Sequence, residues 1–110
     1  MTTKRHPASL TVADRKALPP LYEQDGKGCD AIAYVKFFNP TGAATWYATE
    51  FDGDDLFFGL CDLGFGEPEL GYFSLSELLS VRVRFGLTIE RDTSWKPTPL
   101  RECRVWGVLR

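Results

Sequence analysis

Glu50, Asp52, Asp54 and Asp55 fall within sixteen residues, TWYATEFDGDDLFFGL (45–60), that hold no basic side chain. Carboxylates this close can do several kinds of chemistry. Asp52, Asp54 and Asp55 could offer hard oxygen ligands to calcium or magnesium, although the spacing lacks the further ligands and the distal Glu of a calcium loop. Glu50 and Asp52, two residues apart on one strand, could work as an acid-base pair. Little else in the chain supports catalysis. Its only histidine is His6, near the start, no Ser or Cys sits in a nucleophile motif, and no glycine-rich phosphate loop occurs. The plain alternative for the Asp-Gly-Asp-Asp tip is a solvated hairpin turn. The last possibility is an acidic surface that another protein recognises.

The distribution of charge favours that surface. From Phe37 to Val81 there are eight carboxylates and no Lys, Arg or His, whereas the segments on either side are net basic, so the overall charge is only -2. Such a stretch repels nucleic acid and attracts basic protein surfaces, as proteins that bind in place of DNA do. The aromatics Trp46, Tyr47, Phe57, Phe58, Tyr72, Phe73 and Trp95 could stack on bases, but an acidic neighbourhood makes that costly. Core packing accounts better for most of them. The basic set Arg82, Arg84, Arg91, Lys96, Arg101 and Arg104 is interleaved with Glu90, Asp92 and Glu102, which suits ordinary surface pairing.

These residues must be positioned by one small domain. A chain of 110 residues, 44% apolar and 25% charged, is of single-domain size and composition. Cys29, Cys61 and Cys103 are odd in number and form no C-x-x-C pair, which argues for reduced thiols over a disulfide framework or a zinc site. No apolar run approaches the roughly 18 residues that span a bilayer. A cytoplasmic location and no cofactor are expected. Thr11 caps a helix over Val12 to Leu18, which stops at Pro19-Pro20. A turn-rich loop follows. AIAYVKFF (31–38), TWYATEFD (45–52) and DLFFGLCDLG (55–64) read as a three-stranded meander with a tight turn at Asp52-Gly53, and ELGYFS (69–74) as a fourth strand. Ser74 with Glu77 three positions on is a capping-box signature for a second helix, with Leu75, Leu78 and Leu79 as its apolar stripe. VRVRF (81–85), with Val81, Val83 and Phe85 on one face, is either a strand or the exit from that helix. GLTIERD alternates, SWKPTP is extended, and RECRVWGVLR ends as a frayed helix or an edge strand.

The expected fold is therefore α+β: a small, mostly antiparallel sheet of four to six strands, packed with two short helices and dominated by aromatics at its core. The run LFFGL implies a sheet buried on both faces in part. Residues 1–110 form a single domain, with 1–10 expected to be flexible.

ALPPLYEQDG, YVKFFNP, TWYATEFDGDDLFFGL, ELGYFSLSELLSV, GLTIERD and KPTPL, in this order, resemble a bacterial family of small domains of unknown function carried on plasmids and conjugative elements, often near antirestriction genes. The resemblance covers residues 17–100 and leaves 101–110 as a divergent tail. It supplies no catalytic residues. It implies a part in the contest between mobile DNA and host defence. With the charge pattern, it leads to the expectation of a non-enzymatic protein that inhibits a host CRISPR or restriction nuclease complex by covering that partner's basic nucleic-acid-binding surface. The expected contact residues are Glu50, Asp52, Asp54, Asp55, Asp62, Glu67, Glu69 and Trp46. The alternatives are a regulatory module that binds protein through an aromatic surface, and a metal-dependent hydrolase.

Overall fold

The structure is a computed structural model and describes residues 6–103. Thr11 and Asp14 close a reciprocal capping box at the start of helix α1 (Val12–Ala17), each side chain accepting the other's backbone N–H at 2.9 Å. The prolines end it as expected. The sheet order is β5-β4-β3-β2-β6, all antiparallel, from β2 (Val35–Phe38), β3 (Thr45–Phe51), β4 (Leu56–Asp62), β5 (Glu69–Ser74) and β6 (Glu90–Arg91). The α+β class and the meander are thus as the sequence indicates.

AIAYVKFF departs from expectation, because it is two strands and not one. β1 (Ile32–Ala33) leaves the main sheet to pair with β7 (Thr98–Pro99), while β2 pairs with β3. Trp95 holds the change of partner by donating its indole N–H to the Ala33 carbonyl at 3.0 Å.

Both faces of the central strands are covered, which is why LFFGL shows no alternation. One face carries Phe37, Phe51, Phe57 and Phe73, packed with Leu10, Leu18, Leu75, Leu78 and Ile89. Phe57 is its centre, with ring centroids of Phe51, Phe73 and Phe37 at 4.5, 5.1 and 5.4 Å. The opposite face carries Tyr47 and Leu60 under Ala31, Ala33, Leu100 and Cys103. Ala8 and Leu10, within the segment 1–10 expected to be flexible, are buried in the first core. The chain needs their apolar surface to cover the sheet.

Helix α2 (Leu75–Ser80) buries Leu75 and Leu78. Val81 ends it, and the VRVRF segment is an exit from the helix and not a strand. The chain reverses about a 3-10 turn at Arg84–Gly86, where Phe85 takes φ 62° and points to solvent, off the face of Val81 and Val83. The C-terminal stretch begins as a 3-10 turn, Leu100–Glu102. The rest of that reading, Arg104 to Arg110, lies outside the described residues.

Candidate functional site

The eight expected contact residues do not form one surface. Antiparallel hairpins put Asp52, Asp54 and Asp55 at one end of β4 and Asp62, Glu67 and Glu69 at the other. Seven residues of strand separate the two groups by roughly 20 Å. Each group has its own chemistry.

Glu50 belongs to neither group, which corrects its placement on the surface. A β-bulge lies between Ala48 and Glu50, where β3 holds one residue more than β4 opposite it. Glu50 is 4% exposed, and its two oxygens accept the backbone N–H groups of Tyr22 and Gln24 at 2.9 and 2.7 Å. Gln24 is buried beside it. Its side-chain amide donates to the carbonyls of Ile32 and Thr49, and its oxygen accepts the Ile32 N–H. This Glu50–Gln24 pair ties the 21–30 loop to β1 and β3, and satisfies backbone groups that burial would otherwise leave unpaired. The loop also holds Tyr22 at φ 74°, a conformation uncommon in a non-glycine residue, which the bond from its N–H to Glu50 helps to sustain.

The hairpin tip is also occupied structurally. Asp52 accepts the N–H groups of Asp54, Asp55 and Leu56 through one oxygen, and the first two of these hold its carboxyl below the ordinary range. Gly53, at φ 90°, gives the turn its left-handed residue. Asp55 crosses to α2, accepting the Ser74 hydroxyl at 2.6 Å and the Ser76 N–H at 2.7 Å. Those bonds, the Ser74 hydroxyl foremost, lower its pKa as well. The Ser74 hydroxyl caps the Glu77 N–H at 3.3 Å. Asp55 thus completes the cap that the sequence signature assigns to Glu77. Neither an acid-base pair nor a metal cluster results, since Glu50 and Asp52 are each bound to backbone elsewhere. No group of three or more His, Cys, Asp or Glu side chains is placed to hold a metal ion among the described residues.

Toward the far end of β4 lies a groove of about 310 Å³ with Glu77 as the carboxylate in its lining and Tyr72 and Ser74 of β5 along its edge. Trp46, Cys61 and Phe73 form its floor, with Leu78 of α2 and Val81 just after it on one side and Leu63 of the β4-β5 loop on the other. Register explains the floor, because Trp46 faces Cys61 and Cys61 faces Glu69 across the strands. Leu63, Phe65, Glu67 and Glu69 continue the lining into an adjoining hollow. Leu63 and Phe65 are exposed. Burial pushes the Cys61 thiol up to about 11, and the nearby Glu69 charge adds to the shift. Asp62 uses one oxygen on the Gly64 N–H. Among the described residues Glu67, Glu69 and Glu77 make no side-chain hydrogen bond. The ion pairs there, Lys36–Asp92, Arg91–Asp14 and Arg101–Asp30, all lie outside the acidic stretch. Cys61 and Leu63 line both hollows, so Trp46, Glu67 and Glu69 are brought together, whereas Asp62, opposite Thr45 and one residue on from Cys61, points to the other face of the sheet and stays apart from them. Glu77, reserved for a cap in the sequence reading, joins them because Asp55 takes over its capping role.

Taken with its fold, the chain is a small α+β domain with an acidic groove at one sheet end. Residues 9–103 match the family described as "Protein of unknown function (DUF2958)", and the chain belongs to it. No curated protein and no solved structure matches the chain.

Proposed function

We propose that this domain is a non-enzymatic binding protein that docks a basic protein surface into the groove at the end of β4. One observation carries the reading: Glu67, Glu69 and Glu77 border an apolar floor, with no cation from Phe37 to Val81 and no described ion pair to neutralise them. Apolar floors rimmed by charge are how interfaces combine affinity with selection of a partner. Surfaces that hold nucleic acid are the basic surfaces such a groove fits best. A bacterial nuclease complex of the CRISPR or restriction type, the partner implied by the family resemblance, is the form of this proposal with a biological purpose.

The test is capture from bacterial lysate by the wild type and by a Glu67→Lys, Glu69→Lys, Glu77→Lys variant, at low and high salt. The expected result is a nucleic-acid-binding protein held by the wild type only, at low salt only, and released by added duplex DNA. Equal capture by both proteins at both salts would dismiss the acidic groove.

The aromatic-surface alternative has an observation of its own. Tyr22, Leu70 and Tyr72 are exposed, and Phe58 packs edge-on against Tyr72 at 5.0 Å. These residues lie on the opposite sheet face and lead to the inference below.

A further inference from the structure

The sheet has two edges, and they differ. At β6 the Arg91 N–H donates to the Pro7 carbonyl at 2.9 Å, and the Arg91 side chain donates to the Ser9 carbonyl, so the N-terminal stretch covers that edge. β5 is the other edge and has no strand beyond it among the described residues. Natural sheets cover, shorten or charge such edges. This one is six residues long.

The orientation of its free groups follows from one bond. The Leu75 N–H donates to the Asp55 carbonyl at 2.8 Å, and Leu56 is opposite Ser74. In an antiparallel ladder hydrogen-bonded pairs alternate with non-bonded ones. Phe73, Gly71 and Glu69 therefore bond inward to β4, and the N–H and C=O groups of Leu70 and Tyr72 point outward. The two faces of this edge are chemically distinct. Glu69 and Phe73 share the face of the acidic groove, with Glu77 nearby on α2. Leu70 and Tyr72 share the other face, 45% and 52% exposed. Gly71 leaves the edge open, since a Cβ there would meet nothing within 4 Å.

We propose that β5 accepts an extended segment of the partner protein as a further antiparallel strand, whose alternate side chains are Lys or Arg on the groove face and aliphatic on the Leu70/Tyr72 face. Charge complementarity selects this occupant. A second copy of the chain would bring its own Glu69 and Glu77 to the same acidic edge, whereas a cationic strand meets them with opposite charge. The inference rests on the acidic-groove reading and adds the partner's conformation and side-chain pattern.

The probe is a synthetic peptide of about nine residues alternating lysine with valine, beside one of equal composition with the lysines and valines in separate blocks. Calorimetry with the full chain is expected to show binding of the alternating peptide alone. Hydrogen exchange is expected to show new protection at the Leu70 and Tyr72 amides. Leu70→Pro removes an outward N–H and leaves the inward ladder intact, because proline is tolerated at strand edges. It is expected to weaken binding about tenfold. Glu69→Lys is expected to weaken it to a similar degree. If Glu69→Lys weakens binding but Leu70→Pro does not, or if both peptides bind equally, the strand is refuted and the acidic groove survives. If neither variant has an effect, or the peptide does not bind, both fall. Protection of Leu70 and Tyr72 that rises with protein concentration alone would assign the edge to a second copy and overturn the proposal. The exchange measurement on the wild type decides the matter even if Leu70→Pro fails to fold.

Discussion

Replacing Glu50 by Gln tests whether this carboxylate is structural. In the wild type both oxygens accept backbone N–H groups, at 2.9 Å from Tyr22 and 2.7 Å from Gln24. An amide has one oxygen. If that oxygen serves the buried Gln24 N–H, the new NH₂ group faces the Tyr22 N–H, and two donors oppose each other. A hydrogen bond to a carboxylate contributes about 1.5–3 kcal/mol, and an unsatisfied buried donor costs about 1–3 kcal/mol. Tyr22 is exposed and can turn its N–H to water, so the lower half of that range applies. We expect a loss of about 2 kcal/mol, which lowers the Tm by roughly 10 °C in a domain of this size. Glu50→Ala leaves both donors unpaired and should cost about twice as much. Thermal unfolding followed by circular dichroism measures both variants. Hydrogen exchange should show the Tyr22 amide losing protection in Glu50→Gln, and the Gln24 amide losing it as well in Glu50→Ala. Shifts under 2 °C for both substitutions would show that the 21–30 loop does not depend on Glu50, and would return this residue to the candidates for function.

Three other outcomes follow from the same geometry. Asp52 and Asp55 have folded pKa values below the ordinary 3.8; their contribution is complete above that value and is lost as pH falls through the lowered folded values. The hairpin and the α2 cap should hold at pH 5 and loosen only below about pH 4, as amide exchange at Leu56 and Ser76 would report. Cys61 and Cys103, both raised to about 11 chiefly by burial, should alkylate slowly with iodoacetamide at pH 8 and accelerate up to about pH 11; equally fast reaction at pH 8 would contradict the burial described. Phe57→Ala removes the ring that three others pack against and should cost about 3–5 kcal/mol in a urea titration; a loss under 1 kcal/mol would remove Phe57 from the centre of the core.

Much of the fold is legible in the sequence because local signals agree with the global arrangement. Thr11 and Ser74 cap where side-chain oxygens can reach N–H groups, Pro19-Pro20 stops α1, and Asp52-Gly53 supplies the turn between β3 and β4. The break between β1 and β2 is not legible, since Ile32 and Val35 have the same β preference and only the distant Thr98-Pro99 separates their partners. The acidic site is legible as a count of charges but not as a shape. Alternation along TWYATEF counts Glu50 with Trp46 and Ala48, and no residue type announces the bulge that changes the register before it. Gln24 reads as one polar residue in a turn-rich loop, and its four-way burial depends on strands 8 and 25 positions away. Glu77 misleads for a related reason. The S-x-x-E signature is present, but Asp55, 21 positions before Ser76, takes the capping role and leaves Glu77 to the groove.

Two single substitutions of identical charge isolate the location of the acidic surface. Asp54→Lys reverses an exposed carboxylate at the β3-β4 turn that makes no side-chain hydrogen bond among the described residues. Glu69→Lys makes the same change at the groove. The decisive measurement is capture of a basic nucleic-acid-binding partner by these two proteins, side by side at low salt. Asp54→Lys is expected to retain the partner and Glu69→Lys to lose it. The reverse result would place the interface at the hairpin, and equal losses would mean that only net charge matters.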